Sequence, residues 1–376
     1  MLSAAMIVKN EVKTLEQTIY SVKDHVDEIV IGLDVESNDG TGELAEKLAT
    51  KVVPTYLSEE LRKKGPRKKK GDWGFSKARN IVLNACDPKN WRMTLDGHEV
   101  VHQSENLSET IEQAMDKGCD GVEIPIRFEP DQFGIPSLLY NQARLFAPSV
   151  RYRNPIHNVP AIQKTYTSDL VSIEHRKKDQ DPGSKADRDK QRSSSTIEGL
   201  LKKVKDAPED PRSWFYLGNS YKENARYREA IPAYEKYLTL SKWREERWHA
   251  RVNMGTCHSY LGDHQNAREQ FSLALEEFPA MAEAYYYLAD LAYKRQRFRE
   301  AQVWLEKCVE LDIPKCTLFV TPKIYLVDRY DLLSMVYHHL GLPQNSIEQA
   351  EKALAATNNP RIRNNIEFWK KSLRRT

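Results

Sequence analysis

The stretch Trp91-Arg92-Met93-Thr94-Leu95-Asp96-Gly97-His98-Glu99 sets an acid and an imidazole two residues apart at the end of an apolar run of strand length. Side chains alternate faces in extended backbone, so Asp96 and His98 are expected to point the same way, with Gly97 leaving room for a ligand's close approach. A carboxylate and an imidazole so placed suit a divalent cation carrying a diphosphate. The same residues also suit a β-turn with two solvated polar groups. A second patch, Arg62 to Lys70, packs seven cations into nine residues just before Trp73. It has no helix or strand periodicity and is expected to be a loop. Such a loop is either solvated or grips a polyanion, with Lys68, Lys69 and Lys70 on phosphates and Trp73 stacked on a sugar or base.

These residues need a framework, and the N-terminal half supplies one. Leu2 to Val8 is a short apolar run, followed by Asn10-Glu11 and a helical pattern through Val22, with Val12, Leu15, Ile19 and Val22 at helical spacing. Glu28 to Asp34 is a second strand that ends on an acid. Ser37-Asn38-Asp39-Gly40-Thr41 is a polar turn, with Thr41 placed to cap a helix running to Ala49. Val52 to Leu57 reads as a third strand, Phe75 to Cys86 as a helix, and Trp91 to Asp96 as a fourth strand. Strands alternating with helices, and acids at strand ends, predict an α/β domain with a mostly parallel, Rossmann-like sheet and a ligand crevice beyond the strand carboxyl ends. No GxGxxG follows the first strand, which disfavours a dinucleotide.

At 376 residues the chain is sized for two or three units, and 40% hydrophobic with 30% charged residues fits a globular protein with ample core. No apolar run of about eighteen residues occurs, so no membrane span is expected. The N-terminus runs into a strand pattern without a basic leader, and no signal peptide is read. Five scattered cysteines (Cys86, Cys119, Cys257, Cys308, Cys316) form no CxxC pair, which argues for a reducing, cytoplasmic setting and against a disulfide framework or zinc knuckle. A net charge of +3 says little about partners.

Four blocks carry a resemblance. Met6 to Glu11, Asp27 to Ile31, and Asp34 with Ser37 to Thr41 look like the opening of family 2 glycosyltransferases of the GT-A fold. Phe75-Ser76-Lys77-Ala78-Arg79-Asn80 is similar to their "FS-x-ARN" helix, and Leu95 to Glu99 falls where they carry "LDADE". Weaker likeness continues through Arg144-Leu145-Phe146, Ile156-His157 and Ile173-Glu174-His175. The resemblance implies a GT-A domain over residues 1–176 that takes a nucleotide sugar, usually UDP-linked, with Mn²⁺ or Mg²⁺, and transfers a hexose with inversion. It implies that Val8, Asn10, Glu11, Asp34, Arg79 and Asn80 bind the donor, with Asp34 against uracil or ribose, and that Asp96 and His98 hold the cation. The chemistry agrees: charge developing on the leaving phosphate must be neutralised, which a cation does as a Lewis acid, and a guanidinium such as Arg79 suits oxygen acceptors.

The chain departs from the family at His98, which replaces the second metal-proximal aspartate. Asp-x-His resembles the polypeptide N-acetylgalactosaminyltransferases, a retaining GT-A family that binds Mn²⁺ with a further distant histidine. A more nitrogen-rich site shifts preference from Mg²⁺ toward Mn²⁺. His175, after the apolar run Leu170 to Ile173, is the candidate third ligand. His157 is the alternative, or an acceptor contact. Asn158 stands where relatives often have glutamate, so the base is expected elsewhere. Asp131 is the candidate, with Glu129 behind it and a turn role as the alternative.

Residues 177–208 are polar and read as a linker or a flap over the donor, with Lys185 and Arg188 expected on the diphosphate. From 209 the chain repeats. Trp214, Leu217, Gly218, Tyr221, Ala230 and Tyr234 fall on slots of the tetratricopeptide (TPR) pattern, and Met254, Gly255, Ala267, Phe271, Ala274 and Pro279 repeat it. Tyr285, Leu288, Ala301 and Leu305 make a third copy, Tyr330, Tyr337, Gly341, Ala350 and Ala353 a weaker fourth, and Arg361 to Arg375 a capping helix. An all-α solenoid over 209–376 is expected, with a face for peptides or for self-association into a homo-oligomer. The expected activity is metal-dependent sugar transfer, with a protein or peptide, a glycan or modified DNA as acceptor. The rival is a catalytically degenerate scaffold, which His98 and Asn158 favour and Asp34, Arg79, Asn80 and Asp96 oppose.

Overall fold

The structure, a computed structural model, describes residues 1–56, 75–153, 159–176, 185–314 and 319–374, with the backbone alone for 159 and 185–195. The chain divides into two compact units, Met1–Pro130 with Pro136–Pro182, and Asp131–Ile135 with Gly183–Thr376.

The first unit is a mixed, mostly parallel sheet clad with helices. Its elements are β1 (Leu2–Val8), α1 (Leu15–Tyr20), β2 (Glu28–Asp34), α2 (Thr41–Leu48), β3 (Lys51–Thr55), α3 (Phe75–Ala85), β4 (Trp91–Asp96), β5 (Glu99–His102), α4 (Leu107–Asp116), β6 (Gly121–Phe128), β7 (Leu138–Phe146), β8 (Tyr152–Arg153), β9 (Val159–Pro160), β10 (Thr165–Thr167) and β11 (Ser172–His175). Strand order is β3-β2-β1-β4-β7-β6-β11-β5, with β10 beside β6 and a separate β8–β9 pair. Strands β1 to β4 run parallel, whereas β7 is antiparallel to β4 and β6, and β5 to β11. Because β1 lies between β2 and β4, the direction of strand addition reverses there and opens a crevice outside their carboxyl ends.

Both sheet faces are covered, so the strands read as continuous apolar runs that the pleat sorts by alternation. Leu2, Ala4, Met6 and Val8 enter the core under α1 and α4, while Ala5 and Ile7 pack on the opposite face with Val82 and Leu83 of α3. Gly32 sets the height of α3. A Cβ there would stand 2.5 Å from Val82 Cγ2 and 2.7 Å from Thr55 Cγ2. The first helix is shorter than its periodicity suggests: residues 12–14 form a turn, and α1 runs only from Leu15 to Tyr20. Thr41 is no cap: Gly40 holds that position at φ 93°, and the Thr41 hydroxyl instead accepts the Glu11 N–H at 2.8 Å.

The second unit is helical. Composition hid its first element, α5 (Lys185–Asp206), a 22-residue helix where a linker or flap was expected. Its polar first half masks the helical spacing of Ile197, Leu200 and Val204, which are buried with Phe215, Tyr221 and Tyr234. Among the described residues four helix pairs follow: α6 (Pro211–Glu223) with α7 (Tyr227–Leu240), α8 (Arg244–Tyr260) with α9 (His264–Glu277), α10 (Ala282–Lys294) with α11 (Phe298–Val309), and α12 (Arg329–His339) with α13 (Pro343–Ala356). The helix α14 (Pro360–Leu373) closes the series. A turn of π-helix, Ile324–Asp328, leads into α12, and its Tyr325 hydroxyl donates to the buried Glu283 at 2.8 Å. Cys86, Cys119, Cys257 and Cys308 are buried and free. No helix among the described residues is long and apolar enough to cross a membrane.

Small residues let each pair close up. A Cβ on Gly255 would stand 2.6 Å from the ring of Phe271, which is itself 1% exposed and cannot yield. Gly255→Ala is therefore expected to destabilise the protein by about 1–2 kcal/mol in urea unfolding, although alanine favours a helix by roughly 1 kcal/mol over glycine. A neutral or stabilising effect would mean that the ring has slack.

Candidate active site

Asp96 ends β4 on the sheet face that α3 covers. Arg79 Nη2, from α3, donates to Asp96 Oδ1 at 2.9 Å, and its guanidinium lies over the Tyr152 ring, 5.2 Å from the centroid. Burial alone would raise the Asp96 carboxyl. The guanidiniums of Arg79 and Arg144 outweigh it and hold the group at about 2. Arg79 is in turn held above its ordinary value, since Asp96 overcomes the cost of burying its charge.

The strand stops at Asp96, and Gly97 and His98 form the turn into β5. Strict alternation therefore does not reach His98. A Cβ on Gly97 would stand 2.9 Å from both Glu11 Cγ and Val8 Cγ1. The glycine makes room for Val8 at the end of β1 and for Glu11 beyond it. Glu11 lies within reach of the turn: its Oε1 is 3.0 Å from His98 Nδ1, and Thr14 Oγ1 donates to Gly97 O at 2.8 Å. Burial pulls the His98 imidazole down, but the bond and charge of Glu11 more than reverse this and raise it above its usual value.

The long-range partners converge on the other side of the turn. His175, at the end of β11, has its ring centroid 4.5 Å from that of His98, edge to face, and stacks on Phe128 at 4.7 Å. Its Nδ1 is 3.4 Å from Glu99 Oε1. Arg144 of β7 donates from Nη2 to the same Glu99 oxygen at 2.5 Å. Two strands from β4, Asp34 ends β2 fully buried, 3.2 Å from Lys9 Nζ, and accepts the Glu36 N–H at 3.1 Å. Asn10 Oδ1 accepts the Asn38 N–H at 3.0 Å, which ties the β1 end to the β2 loop.

The structure thus pairs Asp96 with Arg79 and groups His98 with Glu11 and His175 at the following turn, while Asn10 follows β1 and Asp34 ends β2, the strand beyond β1. The other expected residues are placed differently. Both ends of the Asn80 amide are tied to the Tyr152 main chain, at 2.9 and 2.8 Å, so it anchors β8. The Val8 side chain is core. Asp131 Oδ1 accepts the N–H groups of Phe133 at 2.8 Å and Ile135 at 3.0 Å, the turn role, within the segment grouped with the helical unit. Lys68, Lys69, Lys70, Trp73, His157 and Asn158 lie outside the described residues. Lys185 and Arg188 lie in the first turns of α5, where the side chains are outside them too.

Among the described residues no three acids, imidazoles or thiols stand together as a group able to hold a metal ion. As residue types, a carboxylate and two imidazoles are ligands that a manganese ion accepts. Glu99, Arg144 and Tyr152 received no role from the sequence. Glu99 and Arg144 stand inside recognised blocks, but their pairing across strands leaves no local signal.

Residues 3–164 match the family model described as glycosyl transferase family 2. Residues 211–242 and 260–311 match two tetratricopeptide repeat models. The chain joins a family 2 glycosyl transferase domain to TPR repeats. A TPR repeat-containing protein of Synechococcus elongatus is 27% identical over 162 residues, 42% of this chain but 34% of that protein. Among solved structures, a MamA protein shares 20% identity over 45% of this chain and 85% of its own, with a TM-score of 0.38. MamA from Desulfovibrio magneticus RS-1 shares 17% over 45% and 89%, with a TM-score of 0.37.

In this glycosyl transferase domain the turn after Asp96 depends on the bare Gly97 Cα. Gly97→Ala is expected to cost about 1–3 kcal/mol in thermal or urea unfolding, because Val8 and Glu11 must both shift. Unchanged stability would contradict the close packing described here.

Proposed function

We propose that the glycosyl transferase domain moves a hexose, with inversion, from a UDP-linked donor to an acceptor hydroxyl, and that it does so with Mn²⁺ or Mg²⁺. The observation that carries this reading is the Asp96–Arg79 pair at the mouth of the β1/β4 crevice, in a chain that matches family 2. Asp96, with His98 and His175 beside it, would hold the cation. When bound, that ion would supply Lewis-acid neutralisation of the departing diphosphate. Arg79, already aligned on a carboxylate oxygen, can turn the same fork toward phosphate oxygens, which adds positive charge where the leaving group gains negative. Asp34, buried and charge-balanced by Lys9, is the candidate acceptor for a donor N–H or hydroxyl of the nucleoside. The TPR repeats favour a protein or peptide as acceptor, since such stacks expose long surfaces for chains of that kind. Family 2 resemblance supports UDP and inversion, and nothing among the described side chains is assigned as the base.

Hydrolysis of a panel of UDP-sugars with and without Mn²⁺ tests the reading. Turnover is expected only with metal, and Asp96→Asn is expected to lower it by about 100-fold or more, the several kcal/mol that a positioned cation is worth. Wild-type protein that neither turns over nor binds any nucleotide sugar would support the scaffold role.

A further inference from the structure

We propose that Glu99 is a positioning residue for this site, one buried carboxylate that fixes the Asp96 main chain and the His175 ring together, an inference that rests on the nucleotide-sugar reading of the same residues. Glu99 is 0% exposed. A carboxylate at that depth must have its charge met, and Arg144 Nη2 meets it at Oε1, 2.5 Å away. If Glu99 only balanced Arg144, its contacts could end there. Its second oxygen instead accepts the Asp96 N–H at 2.8 Å, and His175 Nδ1 stands 3.4 Å from the first. Groups from β4, β7 and β11 therefore meet on one side chain of β5.

The surroundings make that junction stiff. Glu99 and His175 are register partners across the β5–β11 ladder, and the Arg176 N–H closes on His98 O at 3.1 Å. Phe128 stacks on the His175 ring, so the ring is held between an aromatic face and a carboxylate. A shift of the Glu99 carboxylate must drag the Asp96 peptide, and with it the group that Arg79 grips. Glu99 is not offered as a ligand, because both of its oxygens are in use.

The test compares full-length wild type, Glu99→Gln and the double variant Glu99→Gln/Arg144→Met. Each is measured by thermal unfolding and by titration with Mn²⁺ in the presence of UDP, with free Mn²⁺ followed by its paramagnetic resonance signal. Glu99→Gln keeps the shape and is expected to melt lower, because Arg144 is left buried without its counter-charge. The double variant leaves no lone buried charge and is expected to recover most of the melting temperature. Both are expected to bind Mn²⁺ roughly 10- to 100-fold more weakly, the usual loss when a residue that orients a metal ligand is removed. A double variant with wild-type Mn²⁺ affinity would overturn the proposal and reduce Glu99 to the counter-ion of Arg144. Wild type that takes up neither Mn²⁺ nor UDP gives a different result, one that removes the donor reading and the proposal with it.

Discussion

Carboxylates buried at the edges of the β4 and β2 strand ends are each met by a cation folded against them from another element, and this constraint organises the first unit. Asp96 has Arg79 from α3, Glu99 has Arg144 from β7, and Asp34 has Lys9 from the end of β1. Each pair joins elements far apart in sequence. Removing one member would strand the other in a low-dielectric setting, at a cost of roughly 3–5 kcal/mol for a fully buried pair. Fold and site are therefore the same network seen from two sides.

The packing around that network explains why it is so local. Gly32 lets α3 settle onto the sheet close enough for Arg79 to reach Asp96, and Tyr152, held through Asn80, lies under the guanidinium. On the opposite face, Val8 and Glu11 press on Gly97, and the Glu11 carboxylate holds His98 at the turn. A sheet covered on both faces offers few places where charge can approach water. The carboxyl ends of β1, β2 and β4 are where strand order reverses and helices splay apart, so charge collects there.

Much of this was legible in the chain. The strands Glu28–Asp34 and Trp91–Asp96 end on their acids as the residue pattern predicts, because a fully buried strand must be apolar until it leaves the core. The repeat slots, from Gly218 and Tyr234 to Ala350 and Ala353, sit on paired helices because small residues must face large ones there. What stayed hidden is non-local. Nothing within a few residues of Glu99 announces Arg144, and nothing near His98 announces Glu11, which is 87 residues away. Gly97 was legible as a close approach but not as to what approaches. The helix α5 was obscured by a polar stretch whose apolar stripe starts only at Ile197. Asp131 shows the reverse case: an acid in a plausible place whose oxygen is taken by its own loop.

On the proposed function, the strand ends bearing Asp34 and Asp96 would form one nucleotide-diphosphate site. Determining a crystal structure of the protein soaked with UDP and Mn²⁺ tests this most directly. Uracil and ribose are expected beside Asp34, and the diphosphate with its cation between Asp96 and the imidazoles, with Arg79 turned toward phosphate. Nucleotide bound elsewhere, or Asp96 still closed on Arg79 with no density beside it at saturating UDP, would contradict it.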